Sequence, residues 1–98
     1  MKVKITVLKR AVHEDLSAIY ENPLENSCDM TIGDVFFSDG TRPEGFCNSA
    51  WQSVGPFVEK LVNGEGYFYG DWMKNPYSAM VSCNDGFRPV SFYLETVK

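Results

Sequence analysis

The chain contains few of the residues on which most catalytic and metal-binding sites depend. It has a single histidine, His13, and three cysteines, and no two cysteines have the Cys-x-x-Cys spacing of a zinc knuckle or a thioredoxin-like site. One histidine leaves no basis for a complete catalytic triad. The eight glycines are spread through turn-like segments, so the sequence has no glycine-rich phosphate-binding loop. Because of these absences, no motif names a reaction.

Excess positive charge and long apolar runs are absent as well. Nine basic and thirteen acidic residues give a net charge of −4, which weighs against nucleic-acid binding, since that requires a basic face to displace counterions. No stretch approaches the ~20 apolar residues of a membrane span, and residues 1–10 carry charges where a secretory signal would be apolar. We expect a cytoplasmic protein that binds neither nucleic acid nor membranes, and three cysteines without short pairing fit a reducing compartment.

The chain has enough apolar residues to form one hydrophobic core. Its 98 residues are 44% hydrophobic and include seven Phe, five Tyr and two Trp. A chain of this size and composition predicts a single domain, 1–98, that needs neither a disulfide nor a metal to fold.

Apolar periodicity divides the first half of the chain into a strand, a helix and a second strand. Apolar and polar side chains alternate over residues 3–7, which predicts a half-buried strand. Residues 13–20 have apolar side chains at helical spacing and acidic residues in the first turn, so they predict a short helix that ends before Asn22-Pro23. Gly33-Asp34 predicts a turn or bulge leading into a strand over residues 35–37.

The longest helical pattern covers residues 48–62. Asn48 is a suitable N-cap, and Asn63-Gly64 is a typical stop signal. Gly55-Pro56 interrupts the pattern, because proline lacks an N–H and its ring clashes with the preceding turn, so we expect a kink or two short helices in series. The apolar stripe that would face the core consists of Ala50, Trp51, Val54, Phe57, Val58 and Leu61.

The C-terminal part has the pattern of a hairpin preceded by an aromatic segment. Residues 77–83 and 87–97 predict two strands joined by an Asn-Asp-Gly turn, and Pro89 predicts an edge or a bulge because it cannot donate a ladder hydrogen bond. Residues 65–76 are too aromatic for a flexible linker and are expected to cover part of the structure. Together the elements predict an α+β fold, with a small antiparallel sheet and C-terminal hairpin packed against one main helix and a short N-terminal helix.

Several short motifs occur together along nearly the whole chain: Lys4–Val7, His13–Leu16, Pro43–Cys47, Trp51, Trp72–Lys74 and Cys83–Val90. In these motifs the chain resembles a family of small uncharacterised cytosolic proteins of anaerobic bacteria and some archaea. The resemblance implies no activity that can be carried over. It implies that Cys28, Cys47 and Cys83 occupy positions at which relatives also tend to have cysteine. After Ile32 the chain departs from the pattern, because relatives have a longer and more acidic stretch there.

The three cysteines are the first candidates for chemistry. Each lies at a predicted junction: Cys28 before a strand, Cys47 before a helix and Cys83 beside the hairpin turn. Junctions at one end of a sheet can converge, and three thiolates, or two with His13, could then bind a transition metal. Alternatively, the helix N-terminus would favour a reactive Cys47 thiolate. The remaining interpretation is that the cysteines pack as small buried hydrophobic residues.

His13 and Arg88 are the other polar candidates. Beside two acidic residues, His13 could serve as a general base or a metal ligand, or it is a surface or capping residue at the helix start. If Arg88 points inward, it needs an anionic partner, because a buried unpaired charge is costly. That partner would be a structural Asp34, Asp71 or Asp85, or else a bound carboxylate or phosphate ligand.

The aromatic segment adds a surface with three interpretations. Tyr67, Phe68, Tyr69, Trp72 and Tyr77 could cover the core, line a pocket or form an interface, including one between identical subunits.

The leading hypothesis from the sequence is a non-enzymatic binding module that takes a metal or a small anionic ligand where Cys47, Cys83, Arg88 and Trp72 converge. The first alternative is a thiol-dependent redox or transfer enzyme with Cys47 or Cys83 as nucleophile. The second is a protein-interaction or dimerisation domain that uses the aromatic segment.

Overall fold

Six elements make up the part of the chain that the computed structural model describes, residues 1–22 and 30–97. In chain order they are β1 (Lys2–Arg10), α1 (Glu14–Tyr20), β2 (Val35–Ser38), α2 (Asn48–Val62), β3 (Ser78–Ser82) and β4 (Val90–Val97). The strands form one antiparallel sheet in the order β2-β1-β4-β3. The predicted α+β fold with its C-terminal hairpin and short N-terminal helix is therefore confirmed. In these two ranges no helix is long and apolar enough to cross a membrane.

The core lies between α2 and one face of the sheet. Val3, Ile5 and Val7 of β1 are fully buried, while Lys4 and Thr6 point to the opposite face, as the period-2 alternation predicted. Trp51 and Phe57, which were predicted to be core residues, are partly buried and pack against it. The buried apolar side chains are Val3, Ile5, Val7, Met30, Phe46, Ala50, Val54, Val58, Leu61, Ala79, Val90, Phe92 and Leu94.

The ends of α2 follow local signals, with one correction at the start. The N-cap is Cys47 rather than Asn48, and the Cys47 side chain makes no capping hydrogen bond. At the other end the predicted stop is confirmed, because Gly64 adopts a φ of +87° that favours glycine. The amide of Gly64 donates to the carbonyl of Leu61, which satisfies one of the last helical acceptors.

The interior of α2 does not break where the sequence suggested. The helix is continuous from Asn48 to Val62 with Pro56 inside it, so the expectation of two helices in series is wrong. Pro56 lies on the exposed side, whereas Gly55 is buried. A Cβ atom at Gly55 would lie 2.9 Å from the indole of Trp51, so this glycine gives the indole room to lie along the helix. Packing of the buried apolar stripe on the sheet stabilises the helix through Gly55 and Pro56.

The loop between β3 and β4 is longer than predicted, because β4 begins at Val90 and not at residue 87. The side chain of Asp85 accepts hydrogen bonds from the backbone amides of Phe87 and Arg88, at 2.8 and 3.2 Å. These amides are therefore unavailable to a ladder, and Pro89 has no amide hydrogen to offer. The result is a loop over residues 83–89 that presents Arg88 away from the sheet.

Candidate functional site

Arg88 has an anionic partner within the protein, but not one of the three aspartates predicted. Its Nη1 atom donates to both carboxylate oxygens of Glu21, at 2.6 and 2.8 Å. Glu21 also accepts a hydrogen bond from the Ser17 hydroxyl at 2.9 Å. The prediction of a structural ion pair is correct in kind, and the sequence missed the partner because it lies 67 positions away. With this pair formed, the charge of the Arg88 guanidinium is balanced within the protein by Glu21.

The ion pair between Arg88 and Glu21 joins the end of α1 to the loop over residues 83–89. None of the seven residues of α1 is buried, so the helix has little apolar anchorage. Its start is attached by the amide of His13, which donates to the carbonyl of Phe87 at 2.7 Å. Just before the helix, the amide of Ala11 donates to the carbonyl of Pro89 at 2.9 Å. Polar contacts with the hairpin loop therefore position α1.

The two described cysteines are free and partly buried at the edge of the core. Cys83 follows β3, and its sulfur accepts a hydrogen bond from the amide of Val90 at 3.3 Å. Cys47 precedes α2 and packs against the core. These positions fit the interpretation of cysteine as a small packing residue at least as well as any chemical role.

The predicted transition-metal site finds no support in residues 1–22 and 30–97. This part of the chain contains no group of three or more His, Cys, Asp or Glu side chains that could hold a metal ion. His13 is exposed at the start of α1 and makes no side-chain capping hydrogen bond. Cys28, the third predicted thiol ligand, lies outside the described residues.

Residues 65–77, which we call the aromatic loop, cover the core with one set of side chains and expose another. The ring of Phe68 packs edge-on against Phe57 of α2, with centroids 5.4 Å apart. Tyr69 also packs against the core, and its hydroxyl donates to the carbonyl of Met80 at 2.9 Å. The prediction that this segment covers the structure is confirmed for these two side chains.

Trp72 is the most exposed large hydrophobic side chain in the described part, with 82% of its surface accessible. Its indole is stacked on the ring of Tyr69, with centroids 6.3 Å apart and an angle of 19° between the planes. Tyr69 is in turn fixed by its hydrogen bond to β3. Trp72 is therefore exposed to solvent while it stacks on a side chain that is hydrogen-bonded to the sheet.

The root of the aromatic loop is a tight reversal. The amide of Tyr67 donates to the carbonyl of Pro76 at 2.7 Å, and Tyr67 adopts a φ of +57°, which is uncommon for a non-glycine residue. A Cβ atom at Gly66 would lie 2.7 Å from the carbonyl oxygen of Pro76, so only glycine allows the two ends of the aromatic loop to approach this closely. The rings of Tyr67 and Tyr77 then meet edge-on and both remain exposed.

The four residues proposed to form one site have different partners. Trp72 contacts Tyr69, Arg88 contacts Glu21, and Cys83 contacts Val90. Among the described residues, no hydrogen bond, ion pair or ring contact joins Trp72 to Cys47, Cys83 or Arg88. That these four residues form one site stays a prediction.

A cavity of about 340 Å³ lies beside the aromatic loop and is lined by Met1, Gly64, Asn75, Tyr77 and Thr96. The hydroxyl oxygen of Thr96 is buried and has no hydrogen-bond partner in the described part of the chain. Since the alternate residues Val90, Phe92 and Leu94 of β4 face the core, Thr96 continues that face at its end. A buried hydroxyl without a hydrogen bond lowers the free energy of unfolding, so Thr96 destabilises the fold.

We expect Thr96→Val to raise the free energy of unfolding by about 1 kcal/mol, because valine removes the unpaired hydroxyl and keeps the branched shape. Urea denaturation measures the change. Thr6→Val is the matched control, since Thr6 lies on the opposite face of the sheet, and its effect should stay within about 0.5 kcal/mol. A destabilised Thr96→Val protein would mean that the hydroxyl has a partner in solution.

The fold defines a small α+β protein in which one helix packs on a four-stranded antiparallel sheet. Comparisons of the chain with protein families, with curated proteins and with solved structures found no match.

Proposed function

We propose that this protein is a non-enzymatic binding module that recognises a partner protein through the exposed side of the aromatic loop. The observation that carries the proposal is the display of Trp72, which is largely accessible and yet stacked on a tyrosine that is itself hydrogen-bonded to β3. Tyr67, Tyr77 and Met80 are further exposed aromatic and apolar side chains of the aromatic loop and of β3.

Two energetic arguments support a binding role for Trp72. Leaving a tryptophan in water forgoes the hydrophobic stabilisation that burial would provide, and that free energy is recovered when a partner covers the ring. Because the stack on Tyr69 already restricts the indole, docking loses less side-chain entropy than it would for a free rotor. Tryptophan and tyrosine are also the side chains most enriched among residues that dominate binding energy at protein interfaces.

The shape of this surface favours a protein over a small molecule. Sites for small molecules are concave and enclose most of the ligand, whereas Trp72 is exposed over most of its surface. A protruding aromatic side chain is instead suited to insertion into a pocket on another protein.

The other functions expected from the sequence receive less support. A small anionic ligand near Arg88 would have to compete with the charge of Glu21, which already balances the guanidinium. A thiol-dependent enzyme also needs a general base or a cation to move protons at its nucleophile, beyond the helix N-terminus at which Cys47 lies. In the described part, the hydrogen bonds of Cys47 and Cys83 involve backbone groups and no basic side chain.

We expect Trp72→Ala to weaken partner binding strongly without unfolding the protein. The indole covers little of the core, so the free energy of unfolding should change by less than about 1 kcal/mol. The affinity should fall by about 30-fold or more, the effect of removing a dominant aromatic contact. The matched control is Tyr20→Ala, because Tyr20 is also highly exposed but lies on α1.

The measurement starts from one cell extract passed over immobilised wild-type, Trp72→Ala and Tyr20→Ala proteins. A protein retained by the wild type and the Tyr20 variant, but not by the Trp72 variant, is then purified. Its dissociation constants for all three chains are measured by calorimetry. A partner that binds Trp72→Ala as tightly as wild type would overturn the proposal, as would the absence of any Trp72-dependent partner.

Tryptophan fluorescence gives a second readout. The chain has two tryptophans, so Trp51→Phe leaves Trp72 as the only emitter. Binding at the aromatic loop should shift its emission to shorter wavelength as the ring leaves water. Binding with an unchanged Trp72 spectrum would place the interface elsewhere and contradict the proposed site.

A further inference from the structure

The cavity of about 340 Å³ beside the aromatic loop lies where the ends of several elements meet. Gly64 lines it just after the end of α2, and Thr96 lines it near the end of β4. Met1 precedes β1, and Asn75 and Tyr77 belong to the aromatic loop. The volume lies within the range of small-molecule sites, which is roughly 300–1,000 Å³.

The cavity opens to solvent past two of the side chains that line it. Met1 is 66% exposed and Tyr77 is 44% exposed, so a ligand can enter between them without displacing the core. An apolar cavity of about 150 Å³ holds one benzene ring. The cavity beside the aromatic loop therefore has room for two fused rings.

The apolar walls favour a flat aromatic ligand. Tyr77 contributes its ring, which is held by an edge-on contact with Tyr67 at a centroid separation of 5.8 Å. Met1 contributes a thioether side chain, which adapts its shape and makes favourable contacts with aromatic rings. A planar aromatic ligand gains contacts with both side chains that a branched aliphatic ligand lacks.

The charges around the cavity favour a neutral ligand. Within the described part of the chain, none of the side chains that line the cavity carries a charge. Four charged residues are next to lining residues in the sequence, two of each sign: Lys2, Glu65, Lys74 and Glu95. Their charges balance, and an ionised ligand would lose hydration in a cavity of uncharged side chains.

Two polar side chains of the cavity have unused capacity for hydrogen bonds. Oγ1 of Thr96 is buried and has no partner within residues 1–22 and 30–97. The side-chain oxygen of Asn75 accepts from the amide of Tyr77 at 2.9 Å, which leaves the NH2 group of Asn75 as a donor. A ligand hydroxyl suits both groups, because it donates and accepts at once.

The Thr96 hydroxyl reaches a ligand by a side-chain rotation. Its oxygen is buried, although the residue as a whole is partly exposed and lines the cavity. Rotation about χ1 from one staggered position to another moves the hydroxyl to a new side of the Cα–Cβ bond. A ligand that offers a hydrogen bond removes the cost of the unpaired hydroxyl, so the group that destabilises the fold favours the complex.

We infer that this cavity is a binding site for a small neutral aromatic compound of one or two rings with one hydroxyl group. The ring lies against Tyr77 and Met1, and the hydroxyl is hydrogen-bonded to Thr96 and Asn75. Trp72 does not line the cavity, so the site does not depend on the function proposed for the exposed indole.

The test compound is 2-naphthol. Naphthalene lacks the hydroxyl, and 2-naphthoate has a carboxylate that the amino group of Met1 would attract. Each compound is titrated into the ¹⁵N-labelled full chain, and NMR shift changes give the location and the dissociation constant. We expect 2-naphthol to bind about tenfold more tightly than naphthalene, the net effect of one or two neutral hydrogen bonds, with shift changes at Gly64, Asn75, Tyr77 and Thr96.

Thr96→Val should weaken 2-naphthol binding by about fivefold and leave naphthalene binding unchanged, because it removes one hydrogen bond and keeps the branched shape. The same variant is expected to be more stable than wild type, so a loss of affinity would not come from unfolding. Thr96→Ser keeps the hydroxyl and should keep the preference for 2-naphthol. Thr6→Val is the matched control on the opposite face of the sheet and should bind like wild type.

The inference is overturned if 2-naphthol does not bind, or if its shift changes lie around Trp72 and not at the cavity. Equal affinities for 2-naphthol and naphthalene would also overturn it, and this comparison on the wild type decides if Thr96→Val fails to fold. An unchanged affinity of Thr96→Val for 2-naphthol would show that the hydroxyl of Thr96 is not used. Tighter binding of 2-naphthoate would assign the cavity to an anion at the amino group of Met1.

Discussion

Replacing Phe46 with alanine is expected to lower the free energy of unfolding by about 3–5 kcal/mol, the cost of truncating a buried aromatic side chain. Phe46 is 2% exposed and lies in the loop before α2. Its ring contacts those of Phe36 and Phe92 in the sheet and Trp51 in the helix, with centroid separations of 5.1, 5.3 and 5.8 Å. The variant would therefore lose contacts with β2, β4 and α2 at once.

Phe37→Ala is the matched control for this prediction. It also removes a phenylalanine side chain, but Phe37 lies on the face of the sheet that α2 does not cover and is more than half exposed. We expect a loss of less than about 1 kcal/mol for this variant. Denaturant titration at 25 °C compares the two. Similar losses in both variants would mean that Phe46 is not the central contact between sheet and helix.

Arg88→Met is expected to cost roughly 2–3 kcal/mol, somewhat less than the loss of one partner from a fully buried ion pair. The side chain of Glu21 is only 10% exposed and that of Arg88 is 30% exposed. Removing the arginine therefore leaves a nearly buried carboxylate that, among residues 1–22 and 30–97, keeps the Ser17 hydroxyl as its one side-chain donor. Glu21→Gln should cost less, because the guanidinium that it leaves can be reached by water.

A double-mutant cycle separates the pair from other effects of each substitution. The double variant Glu21→Gln with Arg88→Met should be less destabilised than the sum of the single variants, by about 1 kcal/mol or more. Additive losses would show that the pair contributes nothing of its own. Hydrogen exchange supplies a local readout, since residues 14–20 should exchange faster in Arg88→Met while the amides of β1 and β4 keep their protection.

Most of the fold could be predicted because its signals are local and periodic. The alternation over residues 3–7, the apolar stripe of α2 and the glycine that ends it each depend on neighbours within a few positions. Where the prediction was wrong, a non-local or side-chain contact changed the outcome. Packing on the sheet kept α2 continuous through Pro56, and the Asp85 side chain took the amides that would have lengthened β4.

The candidate sites were harder to predict, because they depend on which distant residues meet. An anionic partner for Arg88 could be expected from the sequence, but Glu21 could not be chosen from thirteen acidic residues. It identified the aromatic segment as one that covers the structure but could not show that Phe68 and Tyr69 turn inward while Trp72 turns outward. The resemblance to a family of small cytosolic proteins, and the suggested metal site, stay predictions.

The sequence by itself determined the order of strands and helices, the buried faces of β1 and α2 and the end of α2 at Asn63-Gly64, since these follow from hydrophobic period and from glycine geometry. Only the tertiary structure decided the order of strands in the sheet. It also decided that Arg88 pairs with Glu21, that Trp72 stacks on Tyr69 and that the Cys83 sulfur accepts a hydrogen bond from Val90. The physical reason is that strand order and side-chain partners depend on contacts between residues far apart in the chain, which no local pattern encodes.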